Sequence, residues 1–477
     1  MSSKKEISKI DSGLRSQCLS STEVLAQSIA NIAPSGGPAF GIALVFATAG
    51  NGTWLTYIFA TIAVVLIGYH INQFARRSAS PGALYTYVSQ GLGPGAGFVS
   101  GWGLVLAYIL TGCATLAAFS NFTNEFLSYF HLSVPPLVLC VIGILAAWYF
   151  VVKDIQLSAK LMLAMEGISL GLIFILGIIV LVKNGASIDT AQFQLKDVSF
   201  TSIRIGLVLA FFSFVGFESS TALGAEAKNP LKNIPKAVIT SAVFVGLVFI
   251  IFSYIEVMGF SGSKEKLNEV PAALSFLADK NGVSFMGLFI SLGAIISFWS
   301  CVVACMTACG RILMTMGRNK ILHSSLAQTH EKNETPHIAS TVISLITFII
   351  PAIMVALKCS LMDIFGWVGT IATLGFLFSY AMIVLGVPVF LKKQKELKVK
   401  NVIIALITMA ILMIPIVGSV YPLPAYPYNL FPFIFLGWLV VGGAWYAIAN
   451  AKNSGLSAQV KKDVNIVSDK VAVQKGL

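Results

Sequence analysis

Apolar residues along this chain gather into long unbroken runs separated by short polar stretches. Twelve runs reach the roughly 20 residues that a helix needs to cross a bilayer. They fall near 24–49, 53–73, 97–123, 134–152, 157–182, 201–226, 237–260, 283–315, 338–357, 361–391, 402–420 and 429–450. The pattern predicts an all-α polytopic membrane protein with 12 transmembrane helices. A membrane barrel would instead show short strands of alternating polarity. Residues 1–23 are polar and hold no apolar stretch of the signal-peptide kind, so the first run is read as the first span.

Composition narrows this further. Hydrophobic residues make up 56% of the 477 and charged residues 11%, against roughly 25% charged in an ordinary soluble domain. Mean hydropathy is +0.84. A soluble globule would lack the charge to wet its surface, and a disordered chain would be far more polar.

The net charge of +12 would suggest nucleic acid in a soluble protein. Here the basic residues lie in tails and loops, so they set orientation and no nucleic-acid partner is expected. Counting the N-terminal tail, every second loop and the C-terminal tail gives 25 of the 32 Lys and Arg; Lys183, Lys196, Arg204, Lys264, Lys266, Lys280 and Lys358 remain on the other side. That asymmetry places the tails 1–23 and 451–477 in the cytoplasm, in a cell (inner or plasma) membrane. The short tails point to a bacterial inner membrane. Loop charges such as Arg76, Lys228 and Arg311 are read as solvated.

Two spans are irregular. The first contains Asn31-Ile32-Ala33-Pro34-Ser35-Gly36-Gly37-Pro38, and two prolines with two glycines break a helical ladder. The sixth contains Phe211-Phe212-Ser213-Phe214-Val215-Gly216-Phe217-Glu218, with a carboxylate at membrane depth. Freed backbone is tolerated in a membrane only where it lines a cavity. Broken spans at matching places of two halves point to a transporter's midplane site; packing kinks are the alternative. Five spans separate the breaks, which suggests spans 1–5 and 6–10 as inverted repeats.

The broken spans also suggest a ligand. Amides at the start of a half-helix suit an anion, here Ser35, Gly36 and Gly37. Carbonyls near Ile32 and Ala33, and at Phe211, Phe212, Ser213 and Val215, suit an ammonium. That pairing fits an α-amino acid. A polyamine would want several carboxylates, and only Glu166, Glu218 and Glu256 lie within spans, the last near an end. No GxxxxGK[ST] phosphate loop occurs, and no metal site or cofactor is expected. Cys301, Cys305 and Cys309 recur every four residues and read as a packing stripe.

Three stretches resemble the amino acid–polyamine–organocation superfamily of transporters: FFSFVGFESSTALGAEAKNPLKNIP (211–235), RRSASPGALYTYVSQGLGPGAGFVSGW (76–102) and the segment 311–336, with MGRNKIL. In the first, Asn229-Pro230 and Ile234-Pro235 read as the end of the sixth helix and the start of a loop helix. Lys228, Lys232 and Lys236 would share one helical face toward anionic headgroups.

The resemblance runs from about residue 20 to 450. It implies a LeuT-type fold: a 5+5 inverted repeat (24–182 and 201–391) with two C-terminal helices (402–450). It implies a permease, not an enzyme, moving amino acids by alternating access. Polyamine or other organic amine transport is the alternative, and a channel or scaffold a weaker one. It assigns Phe212 to an aromatic gate, Tyr108 to the site and Trp299 beside it.

Some relatives carry a coupling lysine on the fifth span. Anchored on Ser158-Ala159-Lys160, that position falls at Ser169. Glu218, which matches a proton-sensing glutamate, and Glu166, which does not, are the proton-coupling candidates, so H+ is the expected coupling ion. Coupling-free exchange or facilitation is one alternative, and a sodium site from Ser297, Ser300 or Thr307 with first-span carbonyls is another.

Overall fold

The computed structural model describes residues 13–153, 155–185, 188–421, 423–453 and 455–463. The outer parts of both tails, including Lys4, Lys5, Lys9, Lys470 and Lys475, lie outside the described residues.

The described chain is built from α1 (Ser21–Ile32), α2 (Ile42–Ala49), α3 (Thr53–Ala75), α4 (Ala83–Leu92), α5 (Pro94–Ser128), α6 (Pro136–Lys153), α7 (Ile155–Lys183) and α8 (Thr190–Phe193). It continues through α9 (Phe200–Phe212), α10 (Pro230–Phe260), α11 (Ala273–Lys280), α12 (Ser284–Arg318), α13 (His337–Ala356), α14 (Leu361–Lys393), α15 (Val399–Gly418) and α16 (Phe431–Lys452). The single β-bridge among the described residues joins Leu19 to Ala227.

Ten helical segments are long and apolar enough to span. One is the 55-residue stretch Ser21–Ala75, which covers the first two predicted runs; the broken sixth run contributes only the 13-residue α9. The protein is therefore a multi-pass membrane protein whose uninterrupted spans follow the apolar runs, with α10 beginning seven residues before its run at 237–260.

Local chemistry accounts for the helix ends. Ser20 and Glu23 form a reciprocal capping box at the start of α1. Pro94 and Pro230 occupy first helical positions, where a missing N–H costs nothing. Pro235 does not start a separate loop helix as expected: α10 runs through it, because Asn229, in the left-handed region at φ 46°, has already made the turn. Lys228 consequently lies before the helix, and only Lys232 and Lys236 share its face.

Helix α5 is the core: 89% of its most apolar window is buried, against 22% for α16 at the periphery. Helices α12 and α14 pack along it. Trp102 and Trp438 stack with centroids 4.4 Å apart, and each indole N–H donates to the other's carbonyl oxygen (3.0 and 2.9 Å), which fixes α16 to α5.

One charge departs from the solvated-loop reading. Arg311 is 1% exposed and forks onto Glu226, with Nε and Nη2 donating to the two carboxylate oxygens at 2.5 and 2.7 Å, while Nη1 donates to the Thr307 carbonyl. The last turns of α12 lie inside the bundle, so a cation there needs a partner.

Candidate functional site

The first interruption begins at Ala33, whose φ of 52° and ψ of 64° turn the chain out of α1. Proline follows, and the Gly36 and Gly37 amides both donate back to the Ala33 carbonyl oxygen (2.8 and 3.2 Å). The Ser35 amide leaves the turn and donates to Glu166 Oε1 at 2.7 Å. The Ser297 hydroxyl donates to the same oxygen at 3.1 Å. Glu166 is buried on α7, and its Oε2 has no protein partner. A carboxylate from another helix thus grips the first half-helix at its break.

The second interruption follows α9. Gly216 has φ of 85°, and a β-carbon there would overlap the Asn31 side chain. Asn31 in turn accepts from two thiols at 2.9 Å each: Cys301 to its carbonyl and Cys305 to Oδ1. The two breaks therefore meet directly, with the cysteine row serving as donors as well as packing. Gly216→Val is expected to abolish folded protein in the membrane, because it strains the backbone and displaces Asn31. Size-exclusion of detergent-solubilised protein reads this; a normal monodisperse peak would refute it.

Beyond Gly216, Glu218 is fully buried between two phenols: Tyr108 donates to Oε1 at 2.8 Å and Tyr380 to Oε2 at 2.6 Å. Glu218 therefore joins α5, α14 and the second break through charge-assisted bonds.

Between the breaks lies a cavity of about 30 Å³, room for a water or two and too small for an amino acid. Seven of the expected residues border it or form its edge: Ile32, Ala33, Gly36, Gly37, Phe212, Ser213 and Val215. Phe212 packs edge-on against Phe365 with centroids 5.3 Å apart, and Phe298 meets Phe365 at 5.9 Å. These three rings close the space. A neighbouring cavity of about 410 Å³ shares Leu44 and Leu209 with it and reaches the α15–α16 connection.

Other expected residues stand apart. Ser35 serves Glu166, Tyr108 serves Glu218, and Phe211 is buried outside the lining. The Trp299 indole donates to the Gly143 carbonyl oxygen at 3.0 Å and packs on Phe150. Sequence reasoning missed Asn31, Thr111, Thr115, Phe298 and Phe365, which also line the cavity. The pair Thr111 and Thr115, one turn apart in an apolar run, was a readable signal. The phenylalanines were not readable among 33. Glu256, set near a span end by the sequence, is fully buried on α10, and both its oxygens lack a protein partner.

Gly36 and Gly37 are packed from behind: a β-carbon on Gly36 would come 2.7 Å from the Phe298 ring, and one on Gly37 would overlap Phe249. Gly36→Val is thus expected to abolish uptake through ring displacement into the cavity.

A family model described as amino acid permease matches residues 23–450. The chain is 24% identical to the branched-chain amino acid permease BcaP of Bacillus subtilis over 73% of this chain and 76% of that protein. It is 23% identical to the methylthioribose transporter of the same organism over 86% and 88%. It is 25% identical to the low-affinity putrescine importer PlaP of Escherichia coli over 59% and 62%.

Proposed function

Because the chain belongs to the amino acid permease family, we propose that this transporter, which is not an enzyme, is a proton-coupled secondary carrier of apolar amino acids. It works by alternating access in the cell membrane, with both termini cytoplasmic. Spans 1–5 and 6–10 act as inverted repeats within a twelve-span bundle. The cavity between the two helix breaks supports this reading best.

Its lining favours an apolar side chain: Ile32, Leu44, Leu209, Val215 and the rings of Phe212, Phe298 and Phe365 face it, and no carboxylate is among the described lining residues. A polyamine would bring at least one further cation into that space with no group to meet it. The substrate's carboxylate takes the Gly36 and Gly37 amides over from the Ala33 carbonyl oxygen that holds them here. Its ammonium is met by carbonyls near Ile32 and around 211–215. The larger cavity beyond Leu44 and Leu209 is the route along which the site opens.

Coupling runs through Glu166. As a carboxylate it holds the Ser35 amide by a charge-assisted bond. A proton neutralises it and weakens that hold, so the first break shifts next to Gly36 and Gly37. Protonation state and substrate occupancy then bias one element.

A thermal-shift screen of the purified protein against amino acids and their decarboxylated amines tests the substrate class, since a ligand stabilises with the logarithm of its concentration. Stabilisation by branched or other apolar amino acids and not by the matching amines is expected. Equal response to an amine overturns the zwitterion reading. Phe212→Ala is expected to weaken binding by about 1–3 kcal/mol, because the substrate's side chain would no longer be buried against the ring, and expression should stay normal. Unchanged uptake affinity and rate would remove Phe212 from the site.

A further inference from the structure

The end of α3 and the start of α10 border an open groove of about 700 Å³. Arg76, Lys232 and Lys236 border it, together with Asn72 and Thr240, and no acid is among its described lining residues. Asn72 and Arg76 are one turn apart on the α3 side, as Lys232 and Lys236 are on α10, so two polar pairs face each other across the seam. Asn72 is 3% exposed; its Nδ2 donates to the Pro235 carbonyl oxygen at 3.0 Å, and its Oδ1 has no partner in the protein.

Above the cations the same two helices turn apolar and open. On α10, Lys236 is followed by Val243, Phe244, Leu247 and Ile251, all well exposed; on α3, the exposed Ile62 and Phe59 lie several turns before Arg76. From Lys236 to Ile251 the helix rises about 22 Å, close to the depth of one leaflet from headgroup to bilayer midplane, about half of the full 40–45 Å. A polar, cationic pocket continuous with a lipid-facing apolar seam has the form of an amphiphile.

We propose that this pocket binds the headgroup of an anionic phospholipid of the cytoplasmic leaflet, with its acyl chains along the α3–α10 seam. Lys232 and Lys236 meet the phosphate, and Asn72 Oδ1 accepts from a headgroup hydroxyl. A free phosphate would use the cations and leave the apolar seam unused. The side of the membrane rests on the topology proposed above; the binding chemistry does not.

The test uses the full chain in nanodiscs of phosphatidylcholine with increasing phosphatidylglycerol, read by thermal stability and by lipid retention in native mass spectrometry. Phosphatidylglycerol should raise the transition and remain bound. The double substitution Lys232→Gln and Lys236→Gln should weaken phosphatidylglycerol binding about thirtyfold, from about 1 kcal/mol for each near-surface cation. Lys228→Gln, which removes one such charge outside the pocket, should leave it intact, whereas Lys232→Gln alone should already weaken it. Equal responses to both lipids, an unaffected double variant, or an equal loss in Lys228→Gln would overturn the site. An identical shift with inorganic phosphate in pure phosphatidylcholine would overturn the lipid assignment. Nanodiscs offer the lipid on both faces, so these readings stand whatever the orientation. Impermeant maleimide labelling of Lys228→Cys in intact cells, in a background with Cys18 and Cys359 replaced by serine, checks the orientation separately: labelling from outside would overturn the topology and leave the headgroup pocket standing.

Discussion

Uphill, pH-dependent accumulation is expected to disappear in Glu166→Gln while substrate binding and exchange persist. Glutamine keeps an acceptor oxygen for the Ser35 amide and the Ser297 hydroxyl, which both use Glu166 Oε1. It can neither take up nor release a proton, so the break is held in one setting. Glu218→Gln is expected to act differently. Glu218 accepts from Tyr108 and Tyr380, so its replacement loosens the joint between α5, α14 and the second break. The rate should fall with the shape of the pH profile retained. Uptake into proteoliposomes at acidic and at neutral pH, with and without sodium, reads both variants. A wild-type pH response in Glu166→Gln would move the coupling elsewhere, with Glu218 next if its variant alone lost the response. Sodium-driven, pH-insensitive uptake by the wild type would end the proton reading.

Arg311→Met is expected to cost about 3–5 kcal/mol of stability, because it strands the Glu226 carboxylate in the bundle without a counter-charge. Little folded protein should survive solubilisation. The double variant Arg311→Met with Glu226→Leu should recover much of the loss, since no charge is then left buried. The contrast matters more than the single value: a bidentate pair with both partners 1% exposed is expensive to break and cheap to remove whole. Thermal unfolding in detergent measures it. A single variant as stable as wild type would show that Glu226 finds another partner or water. The pair also anchors the N-terminal segment, because the Leu19 amide donates to the Glu226 carbonyl oxygen at 3.0 Å and the Lys228 amide to that of Leu19 at 2.7 Å.

Much of the fold was legible because a bilayer imposes a one-dimensional rule: a segment either carries enough apolar residues to cross or it does not. Uninterrupted spans such as α6, α13 and α15 follow from that rule alone. The breaks were legible too, since proline and glycine act through the local backbone, and Ala33 and Gly216 do turn the chain where those residues cluster. Helix α4 was not read as a helix: its buried run at 83–92 is too short for a span and follows a Pro-Gly turn.

The sequence by itself determined the class of protein, the places where two helices break, and a set of backbone and aromatic positions around them, because each depends on composition or on neighbours in the chain. Only the tertiary structure decided the partners. That the Ser35 amide holds Glu166, 131 residues away, that Glu218 sits between phenols from α5 and α14, that Arg311 is buried against Glu226, and that Phe298 and Phe365 close the cavity with Phe212 all depend on which helix faces bring distant residues together. Hydropathy carries no such information: a buried face and a lipid-facing one are equally apolar, so the pairing of faces is fixed by side-chain shape and by the few polar groups that must find each other inside the bundle.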